Sequence, residues 1–394
     1  MKILVANNHL MTTGGTENCT FALIKEIKKR RDVDVVEYFC FRNNRGVISQ
    51  KIESELGVSF MSHKEYDLII ANHIPIIETL HPYGFTIQTC HGRVTELEQP
   101  SPCADAIVGV SKNIQNHIHS LGYSCDVIHN GVDCERFSVK NPIGEKLTSI
   151  LSLCQDVRAN ALVESAAKRM GIKFHRASKM LDNRLDIEVL INEVDMVVGV
   201  GRSLYDSMAC GRCCISFDSR SYNIVGDGDG IGVGDGYLNL GNVENSLVYS
   251  CVGKWSRLSF TEDLFVEHMQ RYRAEDGAAL RQFALDNFNI TKVVDRYIDI
   301  YKERCTDELV KSKRQERENI PRKKEREIFD EQYYWLMVRY REAKDKVIKR
   351  YHVRRRSISI AWKFFLKYPF RERSFSLLFR SIKDWMKITF RCSR

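Results

Sequence analysis

Arg202 and Asp206 stand four residues apart in "GRSLYDSMACG", Gly201 to Gly211, a spacing that sets two side chains on one face of a helix. With Gly201 allowing close approach and the amides of Ser203 and Leu204 at the helix start, a guanidinium in that place can meet phosphate oxygens from several sides. Upstream, Gly14 and Gly15 lie between an opening apolar run, Ile3 to Ala6, and a stretch carrying Phe21, Ile24 and Ile27 at helical spacing. Glycines there let an anion or a sugar approach the main chain, and Thr16 is an expected N-cap. His91, in "IQTCHGR", closes another apolar run. Its imidazole can meet a ligand or satisfy a local carbonyl, and no companion metal ligands are identifiable around it.

Such residues have to be held by regular elements, and the chain supplies them in two alternating series. Ile3 to Ala6, Val33 to Phe39, Leu68 to Ala71, Phe85 to Gln88, Ala106 to Val110 and Asp126 to Ile128 read as strands, with a helix expected over Thr16 to Arg30. A second series begins near Leu147, with strands at Ile150 to Leu153, Lys173 to His175, Met196 to Val200 and Cys213 to Phe217. Helices are expected there at Ala159 to Arg169, Ile187 to Glu193 and Ser203 to Cys210. Strands apolar on both faces, alternating with helices, imply a parallel sheet covered on both sides. The expected fold class is therefore α/β, with two facing Rossmann-like domains and a basic helical C-terminal extension. The expected boundaries are 1–138, 139–290, a closing helix over 291–305 that crosses back, and a tail over 306–394. Ligands of such lobes bind at the carboxyl ends of the strands, in the cleft between them.

Composition agrees with a packed protein of more than one domain: 394 residues with 43% apolar content. The net charge of +9 is unevenly spread. From Thr306 onward there are 26 Lys and Arg against 12 Asp and Glu, so the tail is strongly basic and the rest mildly acidic. Thirteen dispersed cysteines suit free thiols in a reducing cytoplasm. Cys210 and Cys213 form a CxxC without the second pair that a zinc site needs. "IVGDGDGIGVGDG", Ile224 to Gly236, alternates aspartate and glycine but lacks the closing glutamate of a calcium loop, and reads as a glycine-rich loop. No run reaches the length of about 20 apolar residues that spans a bilayer. In the tail, Trp362, Phe364, Phe365, Phe375, Phe379 and Trp385 supply an apolar face, with Arg380, Lys383, Lys387 and Arg391 on another. That pattern fits an anionic membrane surface, and equally a helix docked on the protein's own lobe. Nucleic acid is a third taker for such charge, but no recognised nucleic-acid module accompanies it.

Three stretches in order, "GGTE" at Gly14, "VIHNGVDCERF" at Val127 to Phe137 and "VGVGRSLYDSMACGRCCISFD" at Val198 to Asp218, resemble the landmarks of the family 4 glycosyltransferases, which have the GT-B architecture. The resemblance covers Met1 to Cys305. It implies transfer of a sugar from a nucleotide-sugar donor to a saccharide or lipid-linked acceptor, with retention of configuration and with neither metal nor cofactor. The first lobe would then be the acceptor side and the second the nucleotide-sugar side. By the same resemblance His91 faces the transferred sugar and Arg202 stabilises the departing diphosphate. Asp206 stands where the family has a glutamate on the nucleotide ribose, and Arg158 is what remains of a basic pair. Gly14, Gly15, Gly201, Ser203 and Leu204 complete the donor side. "HNGVD" is a turn feeding the hinge. The chain departs from the pattern at Val198, where a second carboxylate is expected and a valine cannot hydrogen-bond a hexose. That departure leaves open a degenerate scaffold that binds without turnover; a nucleotide-sugar epimerase lacks the "NGVD" and "MACG" landmarks. The expected location is cytoplasmic, with peripheral contact at the inner face of a membrane through the tail.

Overall fold

A computed structural model describes residues 1–177, 186–219 and 233–346. Its first sheet is wholly parallel and contains β1 (Lys2–Ala6), β2 (Val35–Phe39), β3 (Tyr66–Asn72), β4 (Gly84–Cys90), β5 (Ala106–Gly109) and β6 (Asp126–Val127), in the order β2-β1-β3-β4-β5-β6. Ile3, Leu4, Val5 and Ala6 are all buried, which explains a run without polar alternation: helices cover both faces. Those helices include α1 (Gly15–Lys28), α2 (Val47–Leu56), α3 (Ile74–Leu80) and α4 (Lys112–Ser120).

The second sheet contains β7 (Ser149–Ser152), β8 (Lys173–Arg176), β9 (Met196–Gly199), β10 (Cys213–Asp218), β11 (Val233–Leu238) and β12 (Leu258–Ser259), in the order β12-β11-β10-β9-β7-β8. β8, β7, β9 and β10 are parallel, whereas β11 and β12 extend the edge antiparallel. Around it pack α5 (Val157–Arg169), α6 (Ile187–Asn192), α7 (Arg202–Ala209), α8 (Val243–Leu247), α9 (Glu262–Gln270) and α10 (Ala274–Asn287). The fold is thus two Rossmann-like α/β lobes, as the alternation of apolar runs and helical stretches implies.

One expectation is corrected at the edge of this second sheet. Of the glycine-rich stretch from Ile224 to Gly236, residues 224–232 lie outside the described residues, but 233–236 begin strand β11 and not a loop. The glycines serve packing: a Cβ on Gly234 would come within 2.3 Å of the Ser216 carbonyl, and one on Gly236, at φ +80°, within 2.3 Å of the His268 ring. Asp235 accepts hydrogen bonds from the amides of Trp255 and Ser256 at 3.0 Å each, and from the Ser246 hydroxyl, so its oxygens tie the following loop to the strand.

The chain passes between the lobes twice, and the two passages are zipped together. The Val132 amide donates to the Phe288 carbonyl at 2.7 Å, and the Ile290 amide returns to the Val132 carbonyl at 3.0 Å. Asn289 caps the helix that follows, α11 (Ile290–Arg304), accepting from the Thr291 amide. Val293, Val294, Tyr297, Ile298 and Ile300 of α11 are buried in the same core as Ile3, Val5, Leu68 and Ile70. Next comes α12 (Asp307–Glu318), capped by Thr306 and held on the first lobe by a buried pair, Lys313 Nζ to Asp105 Oδ1 at 2.8 Å.

Residues Met1–Asn319 form one compact unit and Ile320–Arg394 another. The second contains α13 (Arg322–Phe329) and a helix over 331–346; within it the Arg326 guanidinium lies 4.2 Å from the centre of the Tyr333 ring. The apolar and basic segment from Trp362 to Arg391 falls outside the described residues. Among the described residues no helix is long and apolar enough to cross a membrane, and the twelve described cysteines form no disulfide.

Candidate active site

In a parallel sheet a crevice opens where successive connections leave in opposite directions. In the second lobe that place lies between β7 and β9, and in the first between β1 and β3. Both contain residues singled out above.

At the second-lobe switch point only Val200 and Gly201 separate β9 from α7. So sharp a return requires Gly201 at φ +60°, ψ −130°, a conformation closed to residues with a side chain. Its amide donates to the Cys251 carbonyl at 3.2 Å, and the Leu204 amide donates to the Gly201 carbonyl at 2.9 Å. The expected phosphate contact from the Leu204 N–H is therefore replaced by a bond within the turn, and the Leu204 side chain is fully buried in the lobe core. Ser203 contributes its carbonyl to the Ser207 hydroxyl at 2.7 Å.

Arg202 is the residue that faces outward. Its Nη1 donates to Cys19 Sγ on α1 at 2.7 Å, joining the two lobes, and its Nε lies 3.6 Å from Asp206 Oδ2. Both residues line a cavity of about 420 Å³ with walls from both lobes: Thr13, Asn18 and Lys25 on one side, Arg202 and Asp206 on the other. Asp133 and Arg136, from the passage between lobes, also line it. Each of these cations has a carboxylate: Lys25 pairs with Asp133 at 2.5 Å and Arg136 with Glu188 at 2.6 Å. Burial disfavours the charge on Asp133, but Lys25 and the amide of Arg136 outweigh it and hold its pKa below the usual value. Asp206 is the weak link. Its Oδ1 is buried without a hydrogen-bond partner, and burial pushes the carboxyl pKa up against the pull of Arg202. Burial likewise raises the Cys19 thiol, so the guanidinium meets a neutral sulfur.

At the first-lobe switch point Gly14 precedes α1, and a Cβ there would fall 2.1 Å from Glu17 Oε2. The glycine leaves room for this carboxylate to fold back over the helix start. Glu17 is buried, accepts from the hydroxyls of Thr12 at 3.0 Å and Thr16 at 2.9 Å, and lies 3.4 Å from His9 Nε2. The negative charge that the start of α1 favours is thus supplied by the chain itself. Gly15, by contrast, has nothing within 4 Å of a notional Cβ. His91 sits at the end of β4 with Nε2 3.3 Å from Asn72 Oδ1, at the end of β3. Enclosure by protein, and secondarily the neighbouring His73, push its pKa down to about 3, so it is a neutral imidazole at physiological pH.

The residues expected to act together therefore fall in three places. Arg202 and Asp206 share the cavity between the lobes. His91 belongs to a polar group on the first lobe and is not among the residues lining that cavity. Arg158 stands at the start of α5, its side chain 70% exposed, paired with Asp156 at 3.2 Å and bonded to the Ser219 carbonyl at 3.3 Å. Val198, where a carboxylate is expected by counting eight residues back from Asp206, is fully buried in β9 beside Ile150 and Ile215. The tight return at Gly201 places the counted position inside the sheet, where no side chain can reach a cleft. Three contributors carry no signal in the sequence: Cys19 and Lys25 look like ordinary helix positions, and His73 announces itself only as a histidine between a strand and "IP". Cys210 and Cys213 are buried thiols, the latter donating to the Arg273 carbonyl at 3.2 Å, and the described residues contain no metal-binding group of three.

No protein-family profile matches the sequence, and no curated protein matches it. Among solved structures the chain is similar to AviGT4, a glycosyltransferase involved in avilamycin A biosynthesis, at 12% identity and TM-score 0.44, over 77% of this chain and 98% of that one. It is also similar to an alpha-glucosyltransferase in complex with UDP, at 9% identity and TM-score 0.42, over 77% and 100%. A third is the catalytic domain of starch synthase IV from Arabidopsis thaliana bound to ADP and acarbose, at 9% identity and TM-score 0.46, over 77% and 99%. At such identities the likeness is one of fold, and every site assignment rests on this chain's own geometry.

Proposed function

We propose that the chain is a glycosyltransferase of the GT-B kind that takes its sugar from a nucleotide-sugar donor and passes it, with retention of configuration, to a saccharide or lipid-linked acceptor. The observation that carries this is Arg202: a guanidinium at the start of α7, behind the tight Gly201 return, opening into a cavity walled by both lobes. As the bond from the anomeric carbon to the diphosphate breaks, negative charge grows on the leaving oxygens. A guanidinium in a water-poor cleft is well suited to stabilise it. Cys19 is a neutral partner that Arg202 can exchange for phosphate at modest cost, while the guanidinium stays beside the Asp206 carboxylate. Neither a metal nor a cofactor is part of this proposal. The basic tail would bring the protein to an anionic membrane surface on the cytoplasmic side, where lipid-linked acceptors are found.

A second reading, a scaffold that binds a sugar nucleotide without turnover, is favoured by Val198 in the sheet core and by Arg158 held on the surface. Calorimetric titration with UDP, GDP and ADP, together with donor hydrolysis across the corresponding sugar nucleotides, separates the two. Binding with hydrolysis supports the transferase; binding without turnover for every donor and acceptor leaves the scaffold. Absence of nucleotide binding removes both. For the tail, deletion of residues 306–394 should abolish sedimentation with anionic vesicles, and unchanged sedimentation would end the membrane proposal.

A further inference from the structure

Arg202 and Asp206 stand near enough to close a hydrogen-bonded ion pair and do not. They occupy positions i and i+4 of α7. The same two residue types, at the same spacing and in the same order, close to 3.1 Å in Arg326 and Asp330, so helix geometry permits the contact. In α7 the guanidinium Nε stops 3.6 Å from Asp206 Oδ2, beyond hydrogen-bond length, and Asp206 Oδ1 is left buried without a partner. Arg326 and Asp330 are largely solvated and gain little by meeting. The α7 side chains are only 15% and 12% exposed and would gain more. The guanidinium is drawn off by the other lobe. Cys19 Sγ, on α1, accepts from Arg202 Nη1 at 2.7 Å. The thiol proton is directed elsewhere: Cys19 donates to Asn130 Oδ1, in the "HNGVD" turn, at 3.4 Å, which leaves the sulfur lone pairs for Arg202.

We propose that Cys19 is a positioning residue: by holding Arg202 off Asp206 it keeps both the guanidinium and Asp206 Oδ1 available to a ligand in the cavity they line. That this ligand is a nucleotide diphosphate rests on the function proposed above; the arrangement of the three side chains does not. The choice of a thiol follows from its chemistry. Cys19 is 7% exposed and burial raises its pKa, so the sulfur stays neutral and leaves the guanidinium its whole charge. A carboxylate in that place would commit the charge before any ligand arrived. A thiol is a weak acceptor, and an anionic oxygen displaces it readily. Full closure on Asp206 would have the same effect as a carboxylate at position 19, because the guanidinium would then have to leave an ion pair in order to meet a phosphate. The orphaned Asp206 Oδ1 is the counterpart of keeping Arg202 uncommitted.

The test is a double-variant cycle in the full-length protein, read by urea melts at pH 7 and by calorimetric titration of UDP, GDP and ADP. In Cys19→Ala the guanidinium is released to close on Asp206. Nucleotide affinity should fall about tenfold, one charge-assisted contact being forfeited to the carboxylate. Cys19→Ser keeps a neutral acceptor and should stay within about threefold of the parent. Asp206→Asn removes the competitor, so in that background Cys19→Ala should leave the affinity unchanged. A thiol that merely fills space between the lobes would lower affinity equally in both backgrounds, and that result overturns the proposal. The melts read the same pair without any nucleotide. Asp206→Asn should lower the folding equilibrium constant about tenfold more in Cys19→Ala, where it breaks a closed pair, than in the parent. An equal or smaller cost in Cys19→Ala also overturns the proposal. If no nucleotide binds the parent while the melts behave as expected, the positioning of Arg202 stands and the nucleotide-sugar reading falls. Nucleotide binding that Cys19→Ala leaves unchanged sinks the positioning role and leaves the transferase proposal standing.

Discussion

Replacing Arg202 by alanine removes the nearest counter-charge of a buried carboxylate. Asp206 is buried, one of its oxygens is orphaned, the other lies 3.6 Å from the Arg202 guanidinium, and Arg136 adds a weaker attraction. Breaking a buried pair from one side costs about 3–5 kcal/mol. Asp206 can escape by taking up a proton, at about 1.4 kcal/mol for each pH unit between its reference pKa and the solution. From a reference near 3.9 that caps the loss at about 4 kcal/mol at pH 7 and at about 1.5 kcal/mol at pH 5. The sign follows from linkage: a carboxyl whose folded pKa is raised binds more protons folded than unfolded, so lowering the pH from 7 narrows the gap between Arg202→Ala and the parent. Adding Asp206→Asn removes the buried charge and should return most of the lost stability. It should not restore nucleotide binding. A charge-assisted contact is worth about 1.5–3 kcal/mol, so UDP and ADP should bind roughly ten- to 150-fold more weakly to both the single and the double variant. Urea melts at pH 7 and pH 5, with calorimetric titration of UDP and ADP, read both quantities. If Arg202→Ala matches the parent in stability at pH 7, or binds both nucleotides as tightly, the placement of this pair at the heart of the site is wrong.

Three further outcomes are expected. Arg158→Ala should change stability and nucleotide affinity by less than about 0.5 kcal/mol, because its side chain is exposed and paired with Asp156; an effect as large as that of Arg202→Ala in the same titrations would return Arg158 to the donor site. Val198→Glu should not restore a missing catalytic carboxylate: it forfeits about 1.5–3 kcal/mol of valine burial and leaves a charge in the sheet core, so soluble yield should collapse. A folded variant with increased turnover would mean that the residue reaches the cleft after all. Stability should also fall as the pH drops below about 6.5, because His73 and His91 have depressed pKa values and the folded state resists their protonation. Each contributes up to about 1.4 kcal/mol per pH unit down towards its folded pKa, and His73→Gly should flatten the slope in melts from pH 7 to pH 5; an unchanged slope would speak against a buried neutral His73.

Much of this fold is legible along the chain because parallel strands covered on both faces must be apolar throughout. Ile3 to Ala6, Leu68 to Ala71 and Met196 to Val200 betray themselves by that rule alone. The rule fails where glycine replaces bulk: β11 carries "VGDGYL" and reads as a loop until Gly234 and Gly236 are seen pressed against Ser216 and His268. Counting along the sequence fails at Val198 for a related reason, since the length of a turn decides whether a position faces a cleft or a core. What the sequence by itself determined was local: two α/β series, a basic tail, and an Arg and an Asp on one helical face beside a glycine return. What only the tertiary structure decided was who meets whom. Arg202 finds Cys19 across 183 positions and Lys25 finds Asp133 across 108, while His91 meets Asn72. Contacts between residues so far apart in the chain are set by how strands, helices and lobes pack together, and neither periodicity nor spacing encodes them.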